Sequence, residues 1–596
     1  MTRPPDRKAG LDAEVAVVGY GPVGMVIAAL LGRRGHSVVV LERYPGLYNL
    51  PRAGVFDDET MRTLAALGIA EQILPNLKAP QRYWFQNDAG ERLMEFDLAE
   101  FGRSGWAEMY GFYQPDLEDA LDIVCRKLPE VDVRHSARVS ALVQNSSSVT
   151  LTVTTPEATE TVTARYVVAC DGGNSFVRQH LGIDQDDYGF GEAWMVCDFK
   201  LHCPVDLPMM QVCDPRQPTA VVPIGLEYQR ISFMLDSELD FEKESQPERV
   251  WHRAARYLRP DEAALIRVGT YTFRSLVAGS WRVGRVLLAG DAAHQMPPFL
   301  GQGMCSGIRD AQNLGFKLDL VLRGRNPDVL DTYQAERDPH VRAVIERGIE
   351  LGRVQTVRDP VIAAERDRRL IAQRAAGQMP AQIRLPGLIE GLLAAHSGPG
   401  RGELSVQGIV DDGAGPKRLD SIAGHGFHLL VTAALLPELE RRGSVAALRA
   451  AGVAVVGLAD QPSTDGAVVD VDATYRHWFT EHRWVAVAVR PDFYVYGTAV
   501  DTHSAVALVD ELANALAVEM SMPERDVPRS ANRQGVRELS SNAPRSTLGP
   551  VINLASSAGG VSLSSRHCDK RSPLADSRLH GSSLQSRSRP RPPLKK

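Results

Sequence analysis

Residues 14–42 carry the pattern that most limits how this chain can fold. A valine-rich run (Glu14–Val18) leads into Gly19-Tyr20-Gly21-Pro22-Val23-Gly24, then an apolar helical stretch (Val23–Gly35) and a second apolar run (Ser37–Leu41). Strand, glycine turn, helix and strand in that order form a βαβ unit. The spacing Gly19, Gly21, Gly24 is GxGxxG, and Glu42 follows Gly24 by 18 residues at the end of the second strand. A dinucleotide needs this arrangement. The first glycine permits the tight turn, the second lets the backbone approach a pyrophosphate, and the third lets helix and strand pack closely. The phosphates then meet the positive end of the helix, and Glu42 can accept hydrogen bonds from a ribose diol. The pattern alone does not distinguish FAD from NAD.

The chain has 596 residues, too many for one hydrophobic core, so two to four domains are expected. With 44% hydrophobic residues, 23% charged residues and a formal net charge of -6, nothing marks it as a nucleic-acid binder. The seven cysteines are scattered, with no CxxC pair and no metal-ligand spacing, which points to a reducing cytoplasm and away from a zinc site. The uncharged stretch Val15–Gly32 approaches bilayer-spanning length. Its glycines interrupt it, and Asp12 and Glu14 precede it where a signal peptide would carry positive charge, so neither a membrane span nor a targeting segment is read.

Farther along, Val149–Thr154 and Thr161–Val168 read as strands, and Val221–Leu235 suggests sheet. Arg282–Leu288 reads as one buried strand and Gly303–Leu322 as a helix. A second βα pattern, without cysteine, begins near Gly400, with strands expected at Phe427–Val431, Val453–Leu458 and Trp484–Val489. Beyond Pro523 the composition turns to Ser, Arg and Pro, and disorder is expected there; its basic residues read as a solvated extension.

Two further motifs bear on the cofactor. Val286–His294 is an apolar run entering a Gly290-Asp291 turn, followed by Pro297-Pro298 and Gly301-Gln302-Gly303-Met304. Asp171-Gly172-Gly173-Asn174-Ser175-Phe176-Val177-Arg178 follows the expected strand Tyr166–Ala169. Over about residues 12–350 the sequence thereby resembles the FAD-dependent aromatic hydroxylases, flavoprotein monooxygenases with the p-hydroxybenzoate hydroxylase fold. Gln211–Pro215, Tyr271–Arg274 and Met304–Asp310 are similar to the 3-(3-hydroxyphenyl)propionate hydroxylase branch. A weaker similarity at Arg490–Gly497 matches the end of the thioredoxin-like domain of such enzymes.

The resemblance implies an α/β fold in which a Rossmann FAD-binding domain (12–185 and 276–395, the latter including a helical connection) is interrupted by a substrate-binding sheet (186–275). A thioredoxin-like domain (400–520) and the tail (523–596) follow. It implies that Asp291 holds the ribityl chain, that Gly290, Pro298, Gly301, Gly303 and Met304 surround the flavin, and that the helix after them directs its positive end at the reduced ring. Asp171, Gly172 and Arg178 match a motif tied to both FAD and NAD(P)H, so no second Rossmann unit is required. Arg43 beside Glu42, Arg52 in Leu50–Gly54 and Gln114 in Tyr113–Asp116 match cofactor-contacting positions.

The implied activity is an NADH- or NADPH-consuming hydroxylation, through a flavin C4a-hydroperoxide, of a phenolic acid such as 3-(3-hydroxyphenyl)propionate next to its hydroxyl. A bulky polyketide or polyphenol substrate, or a flavin reductase without oxygen insertion, are the alternatives. Neither catalytic nor carboxylate-binding side chains can be named from the sequence. His294 and Cys305 read as packing residues. A cysteine-free thioredoxin-like domain cannot exchange disulfides, which leaves packing or homo-oligomer contact as its expected role.

Overall fold

The computed structural model describes residues 10–516, except 237–238, 379–381, 396 and 463–465, and also residues 552–553. The disorder expected of residues 523–596 lies outside the described residues, apart from a two-residue strand, Ile552–Asn553, paired antiparallel with Arg267 and Val268.

The first fifty residues fold as the βαβ unit. Strand Ala13–Val18 leads to helix Pro22–Gly32, with Pro22 in its first turn, where a missing N–H costs nothing. Strand Val38–Leu41 then pairs parallel to the first. Val131–Arg134, Val38–Leu41, Ala13–Val18, Thr159–Ala169 and Val286–Leu288 lie side by side in that order, all parallel. The three central stretches Ala13–Val18, Val38–Leu41 and Tyr166–Ala169, with Val286–Leu288, are almost entirely buried, whereas Val131–Arg134 and Thr159–Thr161 reach the surface. The segment Arg282–Leu288 is not one strand. Gly284, at φ +60°, turns it into a tight hairpin in which Arg282 faces Leu287.

A second, antiparallel-rich sheet is built on two long strands, Gln185–Leu201 and Ala263–Ala278, with Tyr228–Met234, Thr219–Pro223 and Met209–Val212 continuing it. It extends beyond residues 186–275, because Arg82–Gln86 and Arg92–Asp97 add to its far edge. Alternation gives the sheet two faces. Met195, Cys197, Phe199, Met210, Val212, Val221, Ile231 and Phe233 form an outer core with Val250 and Ala254 of the helix Pro247–Ala254. Trp194, Tyr83 and Phe85 instead join the core of the nucleotide-binding domain, so the opposite face turns inward.

The C-terminal sheet contains strand His428–Thr432, two short helices and the parallel strand Ala454–Ala459, then the antiparallel pair Ala486–Val489 and Val495–Ala499 and the helix Thr502–Ala515. That βαβ-ββα order is the thioredoxin arrangement. This domain docks through charge as well as packing. Arg62 forms a two-toothed pair with Asp420 at 2.7 and 2.8 Å. Arg490 and Asp492 meet Glu336, Lys317 and Asn313, with Arg490 Nη2 2.6 Å and Lys317 Nζ 2.8 Å from Glu336 Oε2. Burial works to raise the Glu336 pKa, yet Arg490 and Lys317 hold it well below the usual carboxylate range. Glu336 therefore stays charged at neutral pH, and its contribution to stability is lost only in strong acid.

Removing Arg490 leaves Asp492 and part of Glu336 buried without compensation. Arg490→Met is expected to cost about 3–5 kcal/mol of stability, read from urea unfolding. A change below about 1 kcal/mol would show that the network does not hold the domain.

Candidate cofactor and substrate cleft

The three glycine-bearing turns converge at the carboxyl ends of the central parallel strands, the place where open α/β sheets bind ligands. Gly19 has φ +101°, and a Cβ there would sit 2.4 Å from the Cys170 carbonyl oxygen. A Cβ on Gly24 would lie 2.2 Å from the Gly19 oxygen, whereas one on Gly21 would meet nothing within 4 Å. The backbone is thus packed tightly below the turn and open above it, at the helix N-terminus, as a pyrophosphate requires. Glu42 is anchored by backbone N–H groups of Tyr20 (2.8 Å) and Tyr44 (2.9 Å), which fixes its carboxylate beside the turn. Arg43 is exposed and stacks over Tyr44.

Arg178 ties the other two motifs together. Its buried guanidinium donates to the Gly173 carbonyl at 2.8 Å and to the Ala292 carbonyl at 2.9 Å, so the Asp171 and Asp291 turns are held as one unit. Asp171 accepts from Val177 N–H through Oδ2, while its buried Oδ1 has no partner among the described residues. Gly172, at φ +82°, opens onto free space. Asp291 itself is solvent-accessible between the buried Gly290 and Ala292. The protein packed around it strips water from the carboxyl and pushes its pKa up, against the pull of His294 and Arg52; among the described residues the carboxylate has no hydrogen bond. Two carboxylates aimed into one cleft with unused oxygens suit a ligand rich in hydroxyl and amide donors.

Gln114 is committed to the protein rather than left free. Its Oε1 accepts from Arg52 N–H (2.8 Å) and Ala53 N–H (2.6 Å), and its Nε2 donates to Glu118. It thereby clamps the loop that carries Arg52, whose side chain is exposed and stacked on Tyr48. Arg230, from the inner face of the second sheet, holds the same loop through the Arg52 and Pro51 carbonyls.

The helix Gly303–Leu322 starts at the cleft, after the left-handed Gly301 and the exposed Pro298. Gly303 and Met304 form its first turn, which contains no acid, so its N–H groups and positive dipole end are available. Seven residues on, a group missed by the sequence reading fixes this geometry. Asp310 Oδ2 accepts from Gly290 N–H (3.0 Å) and His294 Nε2 (2.7 Å), and Oδ1 accepts from Arg337 Nε (2.9 Å). Asp310 is one of four charged residues in that helix and closes the Met304–Asp310 match, but nothing in the sequence marks it as the one that binds the turn. His294 and Cys305 are both buried, as packing residues should be. Among the described residues no cluster could hold a metal ion, and no helix is long and apolar enough to cross a membrane.

This fold and this cleft match the FAD binding domain family, whose model covers residues 12–348, and the HcaD C-terminal domain family, over residues 402–515. The chain belongs to the FAD-binding family and is a flavin-dependent monooxygenase of the aromatic hydroxylase class. It is 48% identical over 515 residues to a probable NADH-specific resorcinol 4-hydroxylase of Rhodococcus jostii, covering 86% of this chain and 96% of that protein. It is 36% identical to a 3-(3-hydroxy-phenyl)propionate/3-hydroxycinnamic acid hydroxylase of Mycolicibacterium smegmatis, over 70% of this chain and 76% of the relative. Among solved structures, a flavin-dependent monooxygenase in complex with FAD and substrate matches the fold with a TM-score of 0.71 at 22% identity, over 85% of this chain and all of that one. A p-nitrophenol 4-monooxygenase of Pseudomonas putida matches at 26% identity and TM-score 0.57, over 61% of this chain and 94% of that one.

The residues present fit FAD. If Asp291 and Glu42 accept cofactor hydroxyls, Asp291→Ala and Glu42→Ala each lose a charged hydrogen bond worth roughly 1.5–3 kcal/mol, or about 10- to 150-fold in Kd. Titration of the apoprotein with FAD, followed by flavin fluorescence, measures this. Unchanged affinity in both variants would refute the placement.

Proposed function

We propose that this protein uses NADH and oxygen to hydroxylate a small neutral phenol of the resorcinol type. The observation that carries the substrate class is the 48% identity to a protein named as a resorcinol hydroxylase. On the inner face of the second sheet two arginines share one carboxylate, so the cluster keeps one net positive charge. Arg230 pairs with Asp198 at 2.7 and 3.1 Å, Arg267 pairs with the same carboxylate at 2.9 Å, and Arg267 also donates to the Tyr271 hydroxyl. Arg267 Nε is buried with no hydrogen-bond partner among the described residues, a charged donor suited to the oxygen of a phenol that ionises as it reacts. The resorcinol-hydroxylase relative matches along 86% of this chain, and its name supports the choice of NADH as well.

FAD, when bound, supplies the redox and oxygen chemistry. The chain's part is to hold the ring in line, exclude water and stabilise charge at the N-terminus of the helix Gly303–Leu322. A second hydroxyl meta to the first raises electron density at the carbon that is ortho to one hydroxyl and para to the other, which suits an electrophilic oxygen.

The 3-(3-hydroxyphenyl)propionate reading stands as the second, favoured by the 36% identical relative and by Gln211–Pro215. Steady-state NADH oxidation and product analysis with each phenol separate the two. Resorcinol is expected to exceed the propionate by at least about tenfold in kcat/KM, equal to about 1.4 kcal/mol of transition-state binding. Product formation from the propionate alone would reverse the assignment.

A further inference from the structure

Gln211 lies on the inner face of the second sheet. Its sequence neighbours Met210 and Val212 belong to the outer core, and its cross-strand partners are Ala220 and Phe85, the latter packed into the nucleotide-binding domain. The side chain is 4% exposed, and its Oε1 has no hydrogen-bond partner among the described residues. A buried amide oxygen left unsatisfied is costly, so it is a group for a ligand to complete.

The orientation of the amide is fixed by its neighbour. The Tyr83 hydroxyl donates its single proton to the Phe299 carbonyl at 3.0 Å, so it can only accept from the Gln211 amide that hydrogen-bonds it. Gln211 must turn its NH2 group to Tyr83, which leaves Oε1 as the free acceptor. Through Tyr83 and Phe299, Gln211 is also coupled to the Pro298–Leu300 turn that precedes the helix Gly303–Leu322.

We propose that Gln211 orients the substrate by accepting a hydrogen bond from a phenol hydroxyl. The inference rests on the neutral-phenol reading and deepens it. An amide oxygen takes a hydroxyl donor and gives nothing to a carboxylate, and a hydroxyl that donates to it is held with its ring in a fixed rotation.

The test is a binding cycle on the FAD-loaded enzyme, with Kd read from the perturbation of the flavin absorbance. The probes are resorcinol and its dimethyl ether, which cannot donate. The proteins are wild type, Gln211→Met, which keeps the length but has no acceptor, and Gln211→Asn, which withdraws the oxygen by one carbon. The preference of wild type for resorcinol over the ether is expected to shrink about tenfold in Gln211→Met, with unchanged FAD content. Gln211→Asn should behave similarly and serves if the Met variant folds poorly. Wild type that binds resorcinol while the variants keep its full preference would overturn the role of Gln211 and leave the phenol reading intact. Wild type that holds FAD but binds neither probe would overturn both.

Discussion

The cleft depends on one buried carboxylate. Asp310, fully inside the helix Gly303–Leu322, receives Gly290 N–H, His294 and Arg337 at once. Burial alone would drive its pKa up, but His294 and Arg337 together hold it below the usual value and keep it charged. Gly290 can follow the turn this requires because it has no side chain. It sits at φ +60°, and a Cβ there would press on Val23, while one on Gly307 would lie 3.1 Å from the Gly290 Cα. The Asp291 turn, the first turn of the GxGxxG helix and the start of the helix Gly303–Leu322 are therefore locked into a single arrangement, and a loosening of any one displaces the others. Buried charge of this kind is weak as a source of stability but strong as a device for fixing geometry.

The same helix is the floor on which the C-terminal domain rests. Phe316 on its far side belongs to that domain's core and contacts Phe427, while Asn313 and Lys317 meet Asp492 and Glu336. Nearer the cleft, Arg309 binds Asp57, Glu59 and Gln302, and the Tyr494 hydroxyl reaches Glu59. A thioredoxin-like domain without a cysteine thus has an evident use. It backs the element that presents Gly303 and Met304.

Much of this was legible in the sequence because local chemistry dictates it. GxGxxG, the Asp171 and Asp291 turns and the helix Gly303–Leu322 are written in contiguous residues, and their glycines sit where a Cβ would collide or φ is positive. What was not legible depends on contacts between distant segments. The backbone turns that Arg178 and Gln114 hold lie 114 and about sixty residues away, and no local pattern announces them. The strands at 82–97 carry no mark that they complete a sheet begun a hundred residues later. Arg282–Leu288 misled because its apolar ends outweighed Gly284. The partners of Arg230 and Arg267 are invisible in sequence.

The central claim is that this cleft holds FAD and directs oxygen onto a phenol ring. Turnover of resorcinol with NADH under 18O-labelled oxygen, with products read by mass spectrometry, tests it most directly. The account predicts one labelled oxygen atom in the hydroxylated ring and about one NADH consumed for each product formed. NADH oxidation that yields unlabelled ring and only hydrogen peroxide, across all phenols tried, would contradict it.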